Sequence, residues 1–174
     1  MNRFISKTYQ ELNQECHQQQ RGYGARGNRR AELIHKYAKY FKAEEILDYG
    51  CGKGSLAISL PQYNWIEYDP AISGKNTLPT SADMVVCADV LEHIEPDKLD
   101  AVLDHVFSLI KFGAVIIVCQ KQGKRKLPDG SFAHRIIMNA NEWHITLQSY
   151  ADIYGFEVIL LSNNGKDATF IVKE

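Results

Sequence analysis

The stretch at residues 46–57, ILDYGCGKGSLA, decides the fold. Its apolar start predicts a β-strand, its three glycines at alternate positions predict a tight turn, and Ser55 onward predicts a helix. Glycines let the backbone approach a bound molecule more closely than any Cβ would permit. The helix start adds backbone N–H groups without helical partners. The stretch therefore predicts a turn that binds a ligand.

An acidic residue, Asp48, stands two positions before the first glycine and indicates which ligand the turn binds. The G-x-G-x-G spacing differs from the G-x-G-x-x-G of dinucleotide sites, and a carboxylate would repel a pyrophosphate. It would attract an ammonium or sulfonium group. Asp69 follows the next predicted strand, about twenty residues on, where an acidic side chain can bind both ribose hydroxyls. S-adenosylmethionine (SAM) carries all of these groups.

Three motifs, ILDYGCGKG, YDPA and ADVLEHI, resemble those of the class I SAM-dependent methyltransferases. The resemblance extends from about residue 32 to the C-terminus. It implies a Rossmann-like α/β fold, a three-layer sandwich whose mostly parallel sheet ends in an antiparallel hairpin. It also implies methyl transfer from SAM, with S-adenosylhomocysteine as product. The implied cofactor contacts are Asp48, Tyr49, Gly50, Cys51, Gly52, Asp69, Pro70 and Asp89.

The 174 residues fit one domain, with a core at residues 31–174. Residues 1–30 are expected to place a polar helix, over 4–20, and a loop above the cofactor site. In the basic segment 21–30, Tyr23 or an arginine could meet the cofactor; a solvated connector is the alternative. Only twelve residues, 71–82, precede the next strand, so the family's third strand is predicted to be shortened or missing.

The composition limits the possible binding partners and the cellular location. A net charge of −1 disfavours nucleic acid across the whole surface, although local patches remain open. No apolar run suits a membrane span, and no secretory leader is evident, so a cytoplasmic location is expected. The four cysteines lack C-x-x-C spacing, which argues against a disulfide framework or a zinc site. The oligomeric state is not predicted.

Two histidines, His93 and His134, are the candidate catalytic bases, because only histidine has an unperturbed pKa near neutrality. They would serve an oxygen or nitrogen acceptor that must lose a proton. His105, off the apolar face of its helix, is expected to be exposed, and His144 to be structural.

A metal site is the more specific alternative to a catalytic base for these histidines. Asp89, Glu92 and His93 are spaced i, i+3, i+4, which predicts one face of a helical turn, and His134 could complete the set. This set is similar to the divalent-metal ligands of the small-RNA terminal 2′-O-methyltransferases. The E-H-I motif also resembles metal-free members, so a metal is not favoured.

A long loop at residues 121–137 is predicted to recognise the acceptor. Lys124, Arg125 and Lys126 concentrate positive charge there and indicate an anionic acceptor, a small molecule in the favoured case; a solvated surface is the alternative. Two other classes stay open. A NAD-linked oxidoreductase is disfavoured by Asp48, and an inactive SAM-binding or scaffold protein shares the same motifs.

Overall fold

A six-stranded sheet lies at the centre of the computed structural model, which describes residues 3–20 and 22–174. Arg21, the first residue of the predicted basic segment, lies outside the described residues. The strand order is β2-β1-β3-β4-β6-β5, and β6 runs antiparallel to the other five strands. The strands are β1 Glu45–Tyr49, β2 Asn64–Tyr68, β3 Ala82–Ala88, β4 Ile110–Cys119, β5 Glu157–Asn163 and β6 Asp167–Lys173.

Helices cover both faces of the sheet, which gives the predicted three layers. Residues of α2 and α3 pack with Ile46 and Met84 on one face, and residues of α4 and α5 pack with Leu47 and Val85 on the other. The alternation within β1 and β3 thus separates two cores. The helices are α1 Lys7–Gln19, α2 Ala31–Phe41, α3 Ser55–Ser59, α4 Leu99–Ser108 and α5 Ala140–Tyr154.

The predicted shortening of the third strand is confirmed. Residues 69–81 join β2 to β3 without any helix or strand. Strand β2 therefore forms one edge of the sheet, and β1 lies between β2 and β3. The chain order reverses at β1 and β3, and such a switch point is where open α/β sheets bind ligands, beyond the carboxyl ends of the strands.

The C-terminal elements form as predicted. Helix α5 begins with a capping box between Asn139 and Glu142 and ends at Gly155, which has a φ of 78°. Strands β5 and β6 then form the antiparallel hairpin. Among residues 3–20 and 22–174, every helix is too short or too polar to cross a membrane.

Candidate functional site

The glycine turn joins β1 to α3 at the switch point. Gly50, Gly52 and Gly54 have φ angles of 80°, 53° and 73°, which side chains rarely tolerate. The N–H groups of Gly50 and Cys51 donate to the carbonyl of Tyr68, at 2.7 and 3.0 Å. The turn is therefore fastened to the end of β2, and these two donors are not open to a ligand.

Asp69, at the end of β2, is bound directly to the glycine turn. Its Oδ2 accepts the N–H of Gly52 at 3.0 Å, and its Oδ1 accepts the N–H of Ala71 at 2.9 Å. A carboxylate offers about four acceptor positions, so further donors such as hydroxyls can still be accepted. The next residue, Pro70, uses its carbonyl to accept the side-chain amide of Gln10 at 2.5 Å.

Asp48 lies inside the protein, beneath the turn. Its side chain is buried, and burial raises its pKa to about 7, with the neighbouring Glu67 adding to the effect. Lys75 donates to Glu67 at 3.0 Å and to the Gly52 carbonyl at 3.4 Å. Sequence reasoning missed this Glu67–Lys75 pair, because Lys75 lies in an irregular segment without a recognisable motif.

The side chains of Tyr49 and Cys51 point away from the turn's surface. The Tyr49 hydroxyl lies 3.0 Å from Nδ1 of His105, and the His105 ring stacks on Phe4 at 4.3 Å. The prediction of an exposed His105 is therefore wrong, because Phe4 and Tyr49 cover it from outside α4. Cys51 is buried, with its thiol directed at the Gly52 carbonyl. The side chains of both residues are therefore held inside the protein.

Helix α1 and residues 22–26 form a layer over the site, here termed the N-terminal cover. The N–H and hydroxyl of Ser6 both donate to Glu95, at 2.8 and 2.7 Å, and the Tyr9 hydroxyl donates to the His93 carbonyl at 2.7 Å. At its other end, the Gly24 carbonyl accepts the N–H of Lys53 at 2.6 Å. The cover thus reaches from the end of β3 to the glycine turn.

The cover also brings His17 to Asp69. His17 Nε2 lies 3.8 Å from Oδ2 of Asp69; burial lowers the pKa of His17, and the Asp69 charge opposes this shift. Beside this contact runs a groove of about 430 Å³, within the size range of small-ligand sites. It is lined by residues of α1, the glycine turn and the segment after β2, including His17, Gly52, Lys53, Ala71, Ile72 and Lys75.

Tyr23 occupies the middle of the site. Its ring centroid lies 4.7 Å from that of His17 and 6.5 Å from that of His93, and its hydroxyl donates to Asn13 at 2.5 Å. Tyr23 therefore separates the glycine turn from the two candidate bases.

His93 and His134 are brought together, with ring centroids 4.7 Å apart. His93 Nδ1 lies 2.9 Å from the Ala133 carbonyl, which can only accept, so Nδ1 carries the proton and Nε2 keeps a lone pair. Surrounding protein lowers the His93 pKa to about 4, assisted by His134. His134 Nδ1 lies 2.8 Å from the Lys121 carbonyl and 3.1 Å from the Gly123 N–H. Nδ1 donates to the Lys121 carbonyl in one tautomer and accepts the Gly123 N–H in the other.

Asp89 and Glu92 do not share a face with His93, so the predicted helical arrangement is wrong. Asp89 has a φ of 57°, which turns the chain before the short 3-10 helix Leu91–His93 begins. The Asp89 carboxylate meets Arg30 at 3.2 Å, whereas Glu92 points into the core and is 1% exposed. Within the described chain, the ligand atoms that converge to within 4.8 Å belong to Glu92, Cys119 and His134, without Asp89 or His93.

Contacts with α1 order the long loop. Leu127 and Ala133 are buried in a cluster with Tyr9 and Cys16, a packing that sequence reasoning missed. The basic residues separate: Lys124 is exposed, and Lys126 lies over the exposed Phe132. Arg125 turns inward, 5.1 Å from the Tyr23 ring, and its buried Nη1 has no hydrogen-bond partner.

Comparisons with known proteins agree with this architecture. A family model described as a methyltransferase domain matches residues 17–159. No curated protein sequence matches the chain significantly.

Among solved structures, the fold is similar to that of Burkholderia thailandensis 1,6-didemethyltoxoflavin-N1-methyltransferase, with bound 1,6-didemethyltoxoflavin and S-adenosylhomocysteine. The TM-score is 0.68 at 14% identity, over 98% of this chain and 90% of that one. Synechocystis PCC 6803 magnesium protoporphyrin IX methyltransferase, with bound S-adenosylhomocysteine, gives 0.58 at 15% identity, over 84% and 83%. The methyltransferase domain of bacterial CtHen1 gives 0.58 at 14% identity, over 83% and 97%. At these identities the likeness shows a shared fold.

Proposed function

This chain belongs to the methyltransferase-domain family, and from that premise we propose that it transfers a methyl group from SAM to an oxygen or nitrogen atom of an anionic acceptor. The observation that carries the proposal is the 3.0 Å bond between the Gly52 N–H and Asp69 at the switch point. It joins a glycine-rich turn to a carboxylate that retains acceptor capacity. Solved neighbours with this fold contain S-adenosylhomocysteine, which supports the same cofactor.

The residues present fit SAM in charge and in size. Asp69 would bind the ribose hydroxyls, Gly50 and Gly52 would let the ligand approach the backbone, and Asp48 would face the positively charged end. The adjoining groove of about 430 Å³ is of the size that small ligands use. When bound, SAM supplies an electrophilic methyl group on sulfur. The domain we propose is the whole chain, with the N-terminal cover closing over this cofactor.

Binding requires the N-terminal cover to shift. His17 stands 3.8 Å from the Asp69 oxygen that we assign to the ribose, and the Gly24 carbonyl holds the Lys53 N–H. Moving His17, Tyr23 and Gly24 outward frees both groups.

The test is direct. Calorimetry should show binding of SAM and S-adenosylhomocysteine and no binding of NADH. Labelled SAM incubated with fractionated cell extract should then transfer label to one chemical class of acceptor. Binding without transfer to any fraction would favour the inactive candidate, and NADH binding without SAM binding would contradict the proposal.

His93 is proposed as the base for an acceptor that must lose a proton. Its neutral Nε2 can take that proton, while the Ala133 carbonyl orients the ring. His93→Gln should lower kcat about a hundredfold, the low end for such catalysis, because a pKa near 4 makes a weak base. The wild-type acid limb should lie near pH 4, not near 6.5. His35→Gln, on α2, is the control; equal kcat values in both variants would remove His93 from the chemistry.

Arg125 is proposed as the contact for the acceptor's anionic group, because its buried Nη1 lacks a partner beside Tyr23 and His93. Arg125→Ala should raise the acceptor KM about tenfold, or about 1.4 kcal/mol, and leave the affinity for S-adenosylhomocysteine unchanged. Lys124→Ala, at an exposed position of the same loop, should change KM less than about twofold, as expected for a screened surface charge. Equal changes in the acceptor KM for both substitutions would indicate that Arg125 acts only as part of a general surface charge.

A further inference from the structure

Three different metal-binding side chains converge where β3 and β4 end. Ligand atoms of Glu92, Cys119 and His134 all lie within 4.8 Å of one another. They come from the 3-10 helix after β3, the last residue of β4 and the long loop. Backbone bonds join these segments, because the Glu92 carbonyl accepts the N–H groups of Arg135 and Ile136 at 2.7 and 3.1 Å. The cluster is therefore held in place by main-chain contacts.

Glu92 supplies an independent sign that a ligand belongs here. Its side chain is 1% exposed; Oε1 accepts the Cys119 N–H at 3.1 Å, and Oε2 has no partner. The charged groups that act on it most strongly, Asp89 and Asp167, are also negative. A buried carboxyl oxygen without a partner is costly, and a bound cation would remove that cost.

We propose that Glu92, Cys119 and His134 bind a Zn²⁺ ion through one oxygen, one sulfur and one nitrogen atom. These are the donor types that zinc uses, whereas Mg²⁺ prefers oxygen ligands and would make little use of a thiol or an imidazole. The proposal stands independently of methyl transfer. It replaces the ligand set that the sequence suggested, since Asp89 and His93 do not join this group.

The surroundings of His134 and Cys119 suit this role. His134 Nδ1 lies 2.8 Å from the Lys121 carbonyl, and a backbone contact of this kind orients a metal-bound histidine. The Cys119 thiol is directed at the same carbonyl, at 3.5 Å, and exchanges that weak bond for the ion on losing its proton. Three protein ligands leave one tetrahedral position for water or for an acceptor atom, at the edge of the sheet where the substrate is expected.

The test uses the full chain stripped with a chelator, then freed of it and titrated with Co²⁺ alone. We expect saturation at one ion per chain and a near-ultraviolet band from the thiolate–cobalt bond. Added Zn²⁺ should displace the Co²⁺ and remove the band. Cys119→Ser should remove that band, and His134→Gln should weaken Zn²⁺ binding about tenfold or more. Cys16→Ser, at a buried cysteine of α1, is the matched control and should keep the band.

Circular dichroism of the metal-free variants shows whether each is folded. His134 is only partly buried in its loop, so its substitution should not prevent folding. If Cys119→Ser fails to fold, the Zn²⁺ affinity of His134→Gln tests the proposed site. A band that persists in Cys119→Ser, Zn²⁺ affinity that His134→Gln leaves unchanged, or Co²⁺ binding without saturation would each overturn the proposal.

Discussion

Replacing Gly52 by valine is expected to abolish measurable binding of S-adenosylhomocysteine, with a loss of about a thousandfold or more, or about 4 kcal/mol. Gly52 has a φ of 53°, a conformation that costs a residue with a side chain about 1–2 kcal/mol. A Cβ there would lie 2.7 Å from the Cα of Gly24, in the space that the cofactor needs once the N-terminal cover moves. The substitution also disturbs the N–H that holds Asp69. Calorimetry with S-adenosylhomocysteine measures the effect.

Gly165→Val separates backbone strain from loss of the ligand's space. Gly165 has a φ of 75° in the turn between β5 and β6, and a Cβ added there meets nothing within 4 Å. This variant should bear a similar backbone penalty in thermal unfolding and keep its affinity within about twofold. If Gly52→Val binds S-adenosylhomocysteine as well as Gly165→Val does, the glycine turn does not contact the cofactor.

Local patterns predicted the sheet because its central strands are continuous in sequence and buried on both faces. The runs at β3 and β4 contain residues such as Val85 and Ile116 with no exposed surface, as expected of parallel strands. The absent third strand was equally visible, since residues 71–82 are too few and too rich in turn-forming residues for a strand and a helix. Both inferences depend only on neighbours along the chain.

The polar helix near the N-terminus was predicted, but its contacts were not. Helix α1 is polar in composition, yet it buries Tyr9 and Cys16 against the long loop. The partners Leu127 and Ala133 lie more than a hundred residues away and follow no helical or strand period. Packing between irregular, distant segments leaves no periodic pattern, so the loop's burial could not be inferred.

Among the site residues, too, contacts that follow from strand order were predictable, whereas those between irregular segments were not. Gly52 and Asp69 meet because two neighbouring parallel strands end at one edge, which strand order alone predicts. Grouping Asp89, Glu92 and His93 assumed continuous helix, and the left-handed turn at Asp89 breaks it. The convergence of Cys119 with Glu92 and His134 was not predicted, because the three residues lie on separate segments and share no short sequence spacing.

Asp48→Asn is expected to stabilise the protein against unfolding, by an amount that grows as the pH rises. The folded pKa of Asp48, about 7, lies above its ordinary value of 3.8 because the side chain is buried. Its contribution to stability is therefore fully present below about pH 4 and is lost as the pH rises through 7. The difference of about three pKa units corresponds to about 4 kcal/mol of unfolding free energy. Asparagine does not ionise, so it does not incur this loss at high pH. Urea unfolding of both proteins between pH 4 and 8, without ligand, measures the difference.

Asp83→Asn provides a control of opposite sign. Backbone N–H groups of Glu45 and Glu44 lower the pKa of Asp83, so the stability it contributes is present above its ordinary pKa and lost only in acid. The Asp48 carboxylate would face the positively charged end of SAM. Asp48→Asn should therefore weaken SAM binding at pH 8 while it strengthens the fold. A variant that gains stability and loses no affinity would show that the Asp48 charge has no part in holding the cofactor.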